Sequence, residues 1–176
     1  MRFATTLQQG QARLGVVDGA DWIALGVTAT DLRAALEAGT DLAAAARAAI
    51  ASGPRLPLAA QTFAPLVPEP GKIICLGLNY FDHAKEGGRD KPDYPWFFYR
   101  GKSSLIGHGQ PGVVPRVSSK FDYEAELAVV IAKKVPRHTP KGQARTPPVW
   151  MKAGDTIAIE IEKIGVLTNP IVAEAA

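Results

Sequence analysis

Residues 121–134 read FDYEAELAVVIAKK, and the run beginning at Glu124 is the most strand-like and most completely apolar segment of the chain. Successive side chains of a strand alternate faces, so Glu124 and Glu126 fall on the same side of it. After them both faces turn apolar, from Leu127 through Val129, Val130 and Ile131 to Ala132, the composition of a strand buried on both sides. Two like charges held that close are unfavourable unless one is protonated or a cation lies between them. A divalent metal with oxygen ligands is the simplest such cation. Spacing alone does not single the pair out, because Glu160 and Glu162 in TIAIEIEKIG repeat it. There Ile157, Ile159 and Ile161 alternate with Ala158, Glu160 and Glu162, as in a sheet wet on one face.

Working outward, KIICLGL (72–78) predicts a strand, and Asn79 can cap a short helical turn from Tyr80 to Glu86 that Gly87-Gly88 closes. His83 and Glu86 are three apart and share a helix face, so the carboxylate can orient the imidazole as a general base that activates water; an exposed His beside an exposed Glu fits the same spacing. The loop GGRDKPDYP (87–95) leads to the aromatic run Trp96-Phe97-Phe98-Tyr99, a buried strand by composition, which ends at Arg100. His108 lies in a glycine-flanked turn and His138 in a basic, proline-containing stretch, both without a ligand's surroundings.

The first 26 residues read as short strands, with Asp18-Gly19 as a hairpin signal. Two helices follow, DLRAALEA capped by Thr30 and stopped by Gly39, and DLAAAARAAIA capped by Thr40 and ended by Gly53-Pro54. Six prolines and glycines between residues 54 and 71 suit an extended linker. The chain therefore divides into a small N-terminal domain with its linker, residues 1–70, and a second domain, residues 71–176.

Hydrophobic residues make up 47% of the 176, enough for one ordinary core with a small appended domain. Lys and Arg exceed Asp and Glu by 20 to 17, with no basic run interleaved with aromatics, so nucleic acid is not an expected partner. Cys75, the single cysteine, lies in an apolar run and reads as a buried small hydrophobe in a reducing compartment. No apolar stretch is long enough to span a bilayer and the N-terminus lacks an apolar signal core, so a soluble cytoplasmic protein is expected, with no membrane partner.

Taken together, KIICLGLNYFDHAKE, WFFYRGKSSLIGHGQP, FDYEAELAVVIAKK and ARTPPVWMKAGDTIAIEIEKIGVLTNPI resemble the fumarylacetoacetate hydrolase family in order and wording, over nearly all of residues 72 to 171. The resemblance implies an α+β, mostly β fold, a mixed β-sandwich roll with a small N-terminal α+β domain, in a homodimer that binds Mg2+ or Mn2+. It implies hydrolysis of a carbon–carbon bond in a β-diketo or 2-oxo acid, as in an acylpyruvate hydrolase. A decarboxylase or isomerase of the oxaloacetate or hydroxymuconate type, and a non-catalytic remnant, are the alternatives. Carried over by position, Glu124 and Glu126 match the metal-ligand glutamates and His83 and Glu86 the water-activating dyad. Arg100 stands where many members have a Lys that holds the small oxo-acid substrate, which turns a point donor into a planar fork.

The chain departs from the family in one place. It passes from AKKVPRHTP directly to KGQARTPPVWMKAGD, and the stretch that in the family supplies a third metal carboxylate and a substrate-binding Gly-Lys segment is absent, the join falling near Pro140 to Gln143. An internal deletion, a join of separate segments and a fold closed in another way all fit that pattern. Loss of central strands should bare apolar surface such as Val129 to Ile131.

Overall fold

The chain opens with three strands, β1 (Arg2–Gln8), β2 (Gln11–Asp18) and β3 (Asp21–Ala24), each antiparallel to the next. The computed structural model describes residues 1–26, 29–86, 88–90, 92–131, 152–161 and 165–174, without the side chains of Phe81, His83, Glu86, Ile159 and Ile161. The turn expected at Asp18-Gly19 is present but sits one residue later. Asp18 ends β2 opposite Asp21, and Gly19-Ala20 make the two-residue loop. Gly19 has φ of 60° and Ala20 has no positive φ, the pattern of a type II′ turn, which favours glycine at its first position. Asp18 and Asp21 are thereby held side by side, and Arg55 bridges them at 2.7 and 3.0 Å.

Two helices follow, α1 (Leu32–Glu37) and α2 (Leu42–Ser52). Their caps are Asp31 and Asp41, one residue beyond the threonines that the sequence suggested, each carboxylate accepting the N–H of Ala34 or Ala44. An aspartate also complements the positive end of the helix dipole, which a hydroxyl does less well. Gly39, at φ of 67°, ends α1; its N–H reaches Leu36 O and that of Thr40 reaches Ala35 O, a Schellman arrangement. Leu14, Val16, Ile23 and Leu25 from the sheet pack against Ala35, Ala46 and Ala49 from the helices. Each large aliphatic side chain buried there contributes about 1.5–3 kcal/mol.

The proline-rich stretch that follows the helices turns back on this sheet. Strand β4 (Leu56–Pro57) pairs with β3, and further on Leu7 N–H donates to Thr62 O and Ala64 N–H to Thr5 O, closing the free edge of β1.

The second half is built of smaller pieces. Strands β5 (Ile73–Gly77) and β6 (Trp96–Arg100) form an antiparallel ribbon, in which Cys75 faces Phe98 and Gly77 faces Trp96; helix α3 (Phe81–Glu86) lies between them in sequence. A Cβ on Gly77 would fall 2.3 Å from the Trp96 ring, so only glycine lets the indole close over the end of β5. Strands β7 (Gly112–Val114), β9 (Gly165–Ala173) and β8 (Thr156–Ile161) form a third sheet with β9 in the middle, parallel to β7 and antiparallel to β8. The architecture is α+β and mostly β.

Two expectations are corrected. Residues 124–131, part of the run expected as a strand buried on both faces, carry no strand and are largely open to solvent, Val129 at 78% and Ile131 at 67% exposure. The aromatic strand forms, but only one of its faces is covered, with Phe97 and Tyr99 50% and 68% exposed. One cause accounts for both: a strand is held by partners on its edges and burial by a layer on each face, and the β5–β6 ribbon has two strands. The bared surface at Val129 to Ile131 is what loss of central strands was expected to produce. The join near Pro140 to Gln143 lies outside the described residues, as do His138 and Glu162.

Candidate functional site

Three of the residues that the sequence singled out, Glu124, Glu126 and Arg100, act electrostatically on Cys75. Burial raises the Cys75 thiol above its ordinary range, the charges of Glu124 and Glu126 raise it further, and Arg100 opposes them. The charges of two carboxylates and a guanidinium are thus all felt at one half-buried thiol. The strand register explains part of this: Arg100 pairs with Ile73 and Phe98 with Cys75, so Arg100, at the end of β6, stands opposite the start of β5, two residues from Cys75 along the strand.

Glu126 is half-buried and Glu124 exposed. Withdrawal from water pushes the Glu126 carboxyl above the usual carboxylate range, and a hydrogen bond with the Glu124 side chain pulls it part of the way back. The two side chains thus interact, although the segment that carries them has no strand partner among the described residues. A hydrogen bond between two carboxyl groups needs a proton on one of them, and a hard cation can stand in that proton's place.

The donor set fits a divalent ion of that kind in part. Mg2+ is commonly bound by one or two protein carboxylates, with waters and substrate oxygens completing the shell. Among the described residues no three His, Cys, Asp or Glu side chains gather as a complete metal site. Asp122, the nearest further carboxylate in sequence, is engaged locally, accepting the Tyr123 N–H at 2.9 Å.

Arg100 donates from Nε to Ser104 Oγ at 3.3 Å, and that hydroxyl donates to Gly101 O at 2.8 Å, which steers the guanidinium from its rim. The backbone of α3 is described and carries His83 and Glu86, but their side chains lie outside the described residues.

Two residues stand out that the sequence did not reveal. The Tyr80 hydroxyl accepts the Leu127 N–H at 2.7 Å, tying the start of α3 to the peptide that follows Glu126. Its position directly ahead of the His83 turn was the available signal. Asn169 is buried in β9 and its Nδ2 donates to Gly107 O at 2.9 Å and Gln110 O at 2.8 Å. His108, in the same turn, accepts the Thr168 N–H on Nδ1 at 3.2 Å and meets Phe63 edge-on, which agrees with its reading as a turn residue.

Residues 72–144 match the fumarylacetoacetate (FAA) hydrolase C-terminal family. An uncharacterised protein of Methanocaldococcus jannaschii, MJ1656, is 50% identical over 66 residues, 38% of this chain and 28% of its own. Human mitochondrial oxaloacetate tautomerase FAHD2A is 43% identical over 93 residues, 53% of this chain and 30% of its own. Among solved structures, maleylpyruvate hydrolase from Sphingobium sp. SYK-6 in complex with manganese(II) and pyruvate aligns with a TM-score of 0.50 and 27% identity, over 66% of this chain and 43% of that one. The matched part thus spans under half the length of each of these proteins. Matching blocks, mostly-β architecture and relatives agree that residues 72–144 are similar to the fumarylacetoacetate hydrolase C-terminal family.

Proposed function

We propose that this chain carries the divalent-metal and oxo-acid site of a family enzyme that forms and stabilises the enolate of a 2-oxo or β-diketo acid, leading to hydrolysis of a carbon–carbon bond. The observation that carries the proposal is that Glu126 is withdrawn from water beside Glu124 and that the charges of Glu124, Glu126 and Arg100 all act on Cys75. Glu124 and Glu126 would hold Mg2+ or Mn2+, which when bound supplies Lewis-acid stabilisation of an enolate oxygen. Arg100 would take a substrate carboxylate in its planar fork. His83, oriented by Glu86, would remove a proton from water, the hydroxide would attack the carbonyl distal to the acid group, and the carbon–carbon bond would break with its electron pair leaving as the enolate of the oxo acid, which takes up the proton held on His83. The manganese and pyruvate in the maleylpyruvate hydrolase complex support the choice of ligand class.

A second outcome is favoured by the relatives named oxaloacetate tautomerase. An enolate formed by removing a proton from the intact oxo acid, reprotonated without attack by water, gives tautomerisation instead. Purified protein should be assayed with Mn2+ for acylpyruvate cleavage and for oxaloacetate keto–enol exchange, with Glu124→Ala plus Glu126→Ala as control. Cleavage lost in the double variant supports the hydrolase, exchange alone supports the tautomerase, and activity equal in both proteins removes the carboxylate pair from either.

The proposal includes a boundary near residue 70, a homodimer and residence in the cytoplasm. No helix among the described residues is long and apolar enough to cross a membrane, but several relatives are mitochondrial, so cell fractionation is the test of location.

A further inference from the structure

Residues 122–131 present a mechanical problem for a site that depends on two of their side chains. A metal ligand must be held to within a fraction of an ångström, yet no strand ladder holds this segment among the described residues. The Leu127 N–H belongs to the peptide unit that begins at the Glu126 carbonyl, so whatever holds that N–H fixes the torsion setting the direction of the Glu126 side chain. What holds it is the Tyr80 hydroxyl, at 2.7 Å.

Tyr80 is itself firmly placed. Its carbonyl accepts the Ala84 N–H at 3.0 Å, which starts α3, and Ala84 is buried. The chain reaches it from β5 through Leu78, which has φ of 54°. A non-glycine residue in that left-handed region stores about 1–3 kcal/mol of strain, and such residues persist where surrounding structure over-determines them. The sharp bend at Leu78 redirects the chain from the strand bearing Cys75 into the helix bearing His83, and delivers the tyrosine to the Glu126 segment on the way.

We propose that Tyr80 is a positioning residue for the carboxylate pair. Its hydroxyl locks the Glu126 peptide against the head of α3, setting the metal-binding carboxylates in register with the helix that carries His83 and Glu86. The role rests on the metal function proposed above for Glu124 and Glu126. An outer group that orients a ligand changes metal affinity by about 10- to 100-fold when removed, without contacting the ion.

The test is Tyr80→Phe, which deletes only the hydroxyl, studied by Mn2+ calorimetry beside wild type, with thermal unfolding in chelator and amide exchange at Leu127 on both proteins. The expected result is faster exchange at Leu127, Mn2+ affinity lower by about 10-fold or more, and an unchanged unfolding midpoint without metal. Equal Mn2+ affinity in the two proteins overturns the positioning role and leaves the metal function standing. Unchanged exchange at Leu127 overturns it also, as does a fall in affinity matched by a fall in the metal-free midpoint, because a general loss of structure then explains the change. If wild type binds no Mn2+, the metal function falls and the role of Tyr80 falls with it.

Discussion

Glu126 hydrogen-bonds through its side chain to Glu124, and it is the member of the pair withdrawn from water. Folding therefore raises the pKa of Glu126 above its value in the unfolded chain. The stability linked to this group is fully present below the unfolded carboxylate value and is lost as pH rises through the higher folded value. Glu126→Gln should remove that loss, so that without metal the variant gains on wild type as pH rises toward neutral. Mn2+ should reverse the order, stabilising wild type by about 2.7 kcal/mol at a hundredfold excess over the dissociation constant and the variant by much less. Denaturant melts at pH 4 and pH 7, with and without Mn2+, check both halves; wild type that is no more responsive to Mn2+ than the variant rejects the second.

Cys75 offers a direct report on whether the site assembles. Because Glu124 and Glu126 raise its thiol and Arg100 lowers it, Glu124→Gln plus Glu126→Gln should shift the alkylation profile of Cys75 to lower pH, and Arg100→Gln should shift it higher. A cation on the carboxylates should act in the same direction as removing their charge. Alkylation rates with iodoacetamide across pH 7 to 10 measure this, and profiles that coincide for all variants would mean that the three groups do not act on the thiol in solution.

Asn169→Ala should destabilise the protein by about 1–3 kcal/mol, since it strands two carbonyls that the buried amide now serves. Urea unfolding checks it. A loss under half a kcal/mol would show that water reaches Gly107 O and Gln110 O.

The bare apolar segment should be adhesive. Val129→Lys is expected to leave the unfolding free energy within about 0.5 kcal/mol, as for other exposed positions, while reducing concentration-dependent association. Sedimentation velocity over a range of concentrations reads this, and association undiminished by the lysine would place the contact elsewhere.

Asp31→Ala should weaken the N-terminal fold by about 1 kcal/mol and Thr30→Ala by less, because the aspartate carboxylate takes the Ala34 N–H. Thermal melts of the two variants decide between the caps, and an equal loss in both would return Thr30 to the role.

The features legible in the amino-acid order are those set within a few residues along the chain. The Asp18-Gly19 turn, the two alanine-rich helices and their glycine stops, and the β5, β6 and β8 strands all follow from local torsional preference and short spacing. Small errors, a turn displaced by one residue and caps given to threonine in place of the adjacent aspartate, arose where neighbouring residues offer similar chemistry. The tertiary structure alone decided the rest. Residues 124–131 have a strand-like composition and yet form none, because a strand is completed by a partner's backbone, which composition does not supply. Arg100 and Cys75 are brought to one ribbon by the register of β5 and β6, Tyr80 reaches Leu127 across 47 residues, and Asn169 holds a turn about 60 residues away. Such contacts between distant parts of the chain depend on how separate elements pack, which no single segment encodes.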